Sequence, residues 1–128
     1  SHARILFAVR VDFLGDEPVA FDEVYLPESA ADSLDRSDFA EFQFLQVWQT
    51  AQDIQIEYIT QEIEAIAAQA PQCRTLRVKK HTPILAETNV CYLESALPCG
   101  LIYSYYRSDI FRVVSTVKLG AIDTREIR

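Results

Sequence analysis

At 128 residues the chain is long enough for one domain with one core and too short for two. A composition of 49% hydrophobic residues and 11% aromatics, with 3 glycines and 5 prolines, excludes intrinsic disorder, and no run of about 18 apolar residues exists to span a membrane. The net charge of -7 makes this piece by itself a poor binder of phosphate backbones, and the charge is lopsided: residues 1–64 hold 14 Asp and Glu against 3 Lys and Arg, residues 65–128 hold 5 against 9.

The chain opens at "SHAR" and contains no methionine, which reads as a tag scar over residues 1–3 joined to a piece, residues 4–128, of a longer protein. "ARILFAVRVDFL" begins apolar and then alternates Val11 and Phe13 against Arg10 and Asp12, as a strand with one wet face does. "GDEP" supplies a turn and "VAFDEVYLP" resumes with β-branched and aromatic residues, so a hairpin is expected. Phe39, Phe42, Leu45 and Trp48 then recur at three-residue steps, predicting an amphipathic helix capped by Ser37 or Asp38.

"IQIEYITQEIEAI" alternates in two phases, Ile54 and Ile56 and then Ile59, Gln61 and Ile63, which predicts a strand with a bulge. "AIAAQAPQCRTLRV" is Ala-rich until Pro71 and predicts a short helix; "TPILAETNVCYLE" is a strand opened by a harmless proline. "ALPCG" turns into "LIYSYYR", and "IFRVVSTVKL" reads as a last strand. The tally is an α+β fold: an antiparallel sheet of about six strands with helices packed on one face.

The three cysteines, Cys73, Cys91 and Cys99, fit no zinc spacing, and with His2 discounted and His81 in a basic turn no metal site or cofactor is expected; the thiols read as reduced, in a cytoplasm. No glycine-rich phosphate loop, G-x-S-x-G elbow or H-E-x-x-H is present. Polar residues embedded in strands carry more signal, because a buried charge needs a partner or a ligand. Arg10, Asp22 and Glu64 are such residues. Each alone fits an ordinary salt bridge or exposed position, and together on neighbouring strands they outline a polar cleft.

The succession of "EPVA", "YLP", "IEA", "TPIL" and "YYRSD" over roughly Arg4 to Leu119 resembles the UTRA domain, the effector-binding half of HutC-subfamily GntR-type bacterial transcription repressors. The resemblance implies a chorismate lyase-like fold and a sensor rather than an enzyme: a homodimer that binds a small metabolite and reaches operator DNA only through an N-terminal winged helix-turn-helix, absent here, with no membrane role. It also implies ligand-binding roles for Arg10 and Asp22 and marks Glu64, in "IEA", and the Tyr106–Arg107 pair as family positions.

Sugar-phosphate readers of the family place a second arginine two residues after the first; here Asp12 stands there, and Gly100 stands where many members have a glutamate. Both departures favour a less anionic or zwitterionic effector. Arg10, Asp12, Asp22, Tyr58, Thr60, Glu64, Ser104 and Tyr106 are the expected ligand contacts. In "LIYSYYRSDIFRV", Ser104 and Tyr106 share one strand face and Tyr103 and Tyr105 the other, while Arg107 and Asp109 are expected to pair locally. Two other readings stay open: a chorismate lyase-like enzyme, which would need several cations around two carboxylates, and a degenerate domain that only dimerises.

Overall fold

The computed structural model describes residues 4–40 and 43–119, Ser95 by its backbone alone. Residues 1–3, read as a tag scar, and Phe42, expected in the helical stripe, lie outside the described residues.

The first two strands, β1 (Ile5–Leu14) and β2 (Glu17–Pro27), make the expected hairpin. Gly15 turns it at a φ of +63°, a conformation glycine adopts without a Cβ clash. Next come α1 (Phe44–Gln52), β3 (Tyr58–Ala67), α2 (Ala70–Leu76), β4 (Pro83–Tyr92) and β5 (Pro98–Arg107). The sheet has the order β1-β2-β5-β4-β3, antiparallel throughout.

Several sequence expectations are corrected. Residues 110–119 form no sixth strand, because β5 already has β2 on one side and β4 on the other; the chain turns instead, with the Ile110 and Phe111 N–H groups donating to the Arg107 carbonyl. The bulge expected around Tyr58 is missing, and β3 pairs with β4 in unbroken register from Tyr58↔Tyr92 to Ala67↔Pro83. The two apolar phases belong to two segments: Ile54 and Ile56 precede the strand and pack against the core beneath α1. The irregularities fall at Asp12/Phe13 and Cys91/Tyr92.

Nor does Ser37 or Asp38 cap α1. Asp35 accepts the N–H groups of Ser37 and Asp38, and Asp38 accepts that of Asp35, which closes a separate 3-10 turn at Asp38–Ala40. The Ala-rich run Ala65–Ala67 ends β3, and α2 begins at Ala70 with Pro71 in its first turn, where a missing N–H costs nothing, behind a Gln69–Gln72 capping box.

The helices cover opposite faces rather than one. On the first face, Phe44 and Trp48 of α1 pack over Val24, Leu26 and Cys91. On the second, Leu76 of α2 packs with Phe21, Ala68 and Ile84, with Tyr105 and Ile66 at the margin. Both faces carry apolar rows, so each needs its own cover.

Candidate functional site

Register fixes which side chains share the first face. Starting from Arg10, the pairs Arg10↔Asp22, Asp22↔Ser104, Glu87↔Ser104 and Ile63↔Glu87 draw one row across all five strands, and four of its five members are polar. The next row, towards α1, runs Ala8, Val24, Ile102, Asn89, Gln61. On the other side, Asp12, Ala20, Tyr106, Leu85 and Ala65 follow. Three ionisable groups in one row, on a face that also buries Val24, Leu26, Phe44 and Trp48, carry a desolvation cost unless they serve one another or a ligand.

α1 turns this row into the floor of a cavity. Trp48, 1% exposed, packs against Gly100: a Cβ there would stand 3.1 Å from the indole Cη2 and 3.2 Å from Leu26 Cδ2, so glycine is what lets the helix come down onto β5. The helix is held there by Trp48 Nε1 donating to Gln52 Oε1 (2.6 Å), Gln52 Nε2 donating to Ser29 Oγ (3.1 Å), and Gln49 Oε1 accepting the Ile56 N–H (2.8 Å). Its first turn, Gln43 to Gln46, then overhangs the polar row and borders an open cavity of about 570 Å³. Arg10, Asp22, Glu87, Asn89, Ser104 and Tyr106 supply polar groups to it, and Phe44, Leu45, Ile59 and Ile102 the apolar wall. A neighbouring space of about 870 Å³ lies between β1 and the segment from Ala31 to Ala40, and Arg10 belongs to both.

Inside, Arg10 Nη1 donates to Asp22 Oδ2 at 3.2 Å, with the two side chains 19% and 13% exposed. The buried Nε of Arg10 has no hydrogen-bond partner among the described residues. Burial pushes the Asp22 carboxyl above its usual value against the hydrogen bond of Ser104 and the charge of Arg10, with Asp12 and Glu87 adding to the upward push. Burial and the charge of Glu87 likewise raise Tyr106. Across the row, Gln61 Nε2 donates to Asn89 Oδ1 (3.0 Å) and Asn89 Nδ2 donates to Glu87 Oε1 (2.8 Å), an amide relay ending on a carboxylate.

Of the expected contacts, Arg10, Asp22, Ser104 and Tyr106 meet in this cavity, and Asp12 shares their face in the neighbouring space. Tyr58, Thr60 and Glu64 do not join them. In β3 the odd positions Ile59, Gln61, Ile63 and Ala65 share the cavity's face of the sheet, with Ile59 and Gln61 lining it, so the even ones point away: Tyr58 stacks on Tyr92 at 4.8 Å, and Glu64 lies in register with Ala86, which pairs with Tyr105. Gln61, Glu87 and Asn89 were missed. Glu87 and Asn89 interrupt "ILAETNV" with the same polar-within-apolar signal that singled out Arg10, and Gln61 sits in phase with Ile59 and Ile63. Arg107 pairs with Asp109 at 2.7 Å and also reaches Glu17, fastening the end of β5 as expected. Among the described residues no group of His, Cys, Asp and Glu is arranged to hold a metal ion, and no helix is long and apolar enough to cross a membrane.

The family model of the UTRA domain matches residues 1–112. No curated protein matches the chain. Among solved structures the chain is similar to a GntR-family transcriptional regulator from Enterococcus faecalis V583, with 24% identity over 88% of this chain and 81% of that one and a TM-score of 0.77. It is also similar to the effector-binding domain of the trehalose repressor of B. subtilis, with 20% identity over 92% and 81% and a TM-score of 0.79.

Proposed function

The chain belongs to the UTRA domain family, and from that premise we propose that it is the effector-sensing and dimerising half of a transcription repressor, taking a small metabolite into the cavity between α1 and the sheet. The observation that carries this reading is the polar row of Arg10, Asp22, Ser104 and Glu87, set into an apolar sheet face and roofed by the first turn of α1. A purely structural row would neutralise itself. Here the Arg10 Nε–H stays without an acceptor among the described residues, and burial works against the charged form of Asp22 while Ser104 and Arg10 favour it, so a ligand has hydrogen bonds to gain.

Operator binding belongs to a winged helix-turn-helix outside this chain, and the effector changes how two such heads are spaced in a homodimer. The site is cytoplasmic and non-enzymatic. Lyase chemistry on a dicarboxylate needs several cations converging on it, whereas among the described residues the cavity presents Arg10 alone, already paired with Asp22.

The test is ligand-dependent melting together with amide chemical shifts of the isotope-labelled chain, in the presence of fractionated small-molecule extract from the source cells. The expected result is a raised melting midpoint with shifts confined to residues around Asp22, Glu87 and Ser104, abolished in Ser104→Val. Shifts elsewhere, or release of pyruvate from chorismate, would overturn the reading.

A further inference from the structure

We infer that the effector carries a protonated nitrogen and no phosphate: an organic cation or zwitterion whose ammonium or guanidinium group sits against Glu87 and Asp22. This rests on the cavity being the effector site.

The charge inventory of the cavity leads there. Arg10 is matched by Asp22 at 3.2 Å, which leaves Glu87 as the surplus charge, with Asp12 a further carboxylate on the adjoining wall. Glu87 forms no ion pair among the described residues; Arg112 lines a separate space of about 240 Å³ on its other side without pairing to it. The amide relay from Gln61 through Asn89 delivers one donor to Glu87 Oε1 and brings no positive charge to it.

An arriving phosphate would have to settle beside two carboxylates with one guanidinium already engaged, where partial enclosure by protein strengthens repulsion relative to water. A protonated nitrogen meets the opposite situation. It gains a charge-assisted hydrogen bond from Glu87, bridges towards Asp22, and relieves the like-charge crowding of the two. The wall of Phe44, Leu45, Ile59 and Ile102 suits a carbon skeleton, and the hydroxyls of Ser104 and Tyr106 can hold a neutral or carboxylate end.

Two matched sets of probes separate charge from shape: tyramine, 4-hydroxyphenylethanol and 4-hydroxyphenylacetate on one skeleton, and glucosamine, glucose and glucose 6-phosphate on another. Each is titrated into the labelled chain while the amides of Asp22, Glu87 and Ser104 are followed. In whichever set binds, the amine should bind about tenfold more tightly than its neutral partner, the difference one charge-assisted hydrogen bond supplies. Glu87→Gln should erase that preference, with its spectrum otherwise intact.

If neither set binds, source-cell extract is split on ion exchangers, and the component that moves these amides should be retained by the cation exchanger at acidic pH. A tightest-binding anion in either set, or an active component retained only by the anion exchanger or by neither, overturns the inference and leaves the effector site standing. Silence of these amides towards every probe and every extract fraction removes the site and the inference together.

Discussion

Gly100 and Asp22 show how much single residues decide. At Gly100 the indole of Trp48 and the Leu26 methyl already fill the space a side chain would take. Gly100→Val should therefore lift α1 and destabilise the fold by about 1–3 kcal/mol, read from urea denaturation; an unchanged midpoint would mean that the helix slides at no cost. At Asp22 the carboxyl is raised in the folded state by burial, so the folded chain holds that proton more tightly than the unfolded chain. Protonation at this group favours folding as the pH falls towards the ordinary value of 3.8, and the advantage is lost as the pH climbs through the raised one. Asp22→Asn should gain stability relative to the parent as the pH rises across that interval, measured by paired thermal melts; a difference that stays flat would show that Arg10 and Ser104 offset the burial completely. Arg10 and Asp22 were legible because polar groups inside apolar strands stand out, and Ser104 and Tyr106 because alternation puts them on one strand face. Tyr58, Thr60 and Glu64 were misplaced because parity along a strand says which residues share a face, and only pairing with β4 says which face that is.

Among the elements, the hairpin and the strands β3, β4 and β5 were readable from alternation and turn residues, and both helices from Trp48 and Pro71 and their surroundings. The phantom last strand had the right composition but no free edge on the strand before it: "IFRVVSTVKL" reads as a partner for β5, but β5 is central, which composition cannot reveal. The start of α1 escaped for a local reason, because Asp35 and Asp38 cap each other's turn before the helix proper begins at Phe44. The other end of α1 offers a clean test. Asp53 closes the helix at a φ of +51°, in the left-handed region, and is exposed. Asp53→Gly should stabilise by about 0.5–1 kcal/mol by removing the Cβ strain. A lowered thermal midpoint would mean that the greater freedom of glycine in the unfolded chain outweighs that strain.

At the scale of the whole molecule, the second face of β1 is left apolar beyond the reach of α2: Phe7 and Val9 are 49% and 51% exposed, and Phe7 continues into a ladder of rings through Tyr25 and Tyr103. A homodimer that buries this patch is expected, so light scattering should give twice the mass of the chain, and a Phe7→Glu, Val9→Lys double variant should fall to one. The sheet order has another consequence, in the time domain. Its central strand, β5, is synthesised last, so while the chain is being made β2 and β4 each wait for a neighbour, and the two finished hairpins, β1–β2 and β3–β4, have nothing to join them. The pairs that zip the halves together, Asp22↔Ser104 and Glu87↔Ser104, are also the floor of the cavity. A nascent chain halted before Pro98 should thus be digested by protease as two loose ribbons, and the effector site should come into being at the same moment as the fold itself.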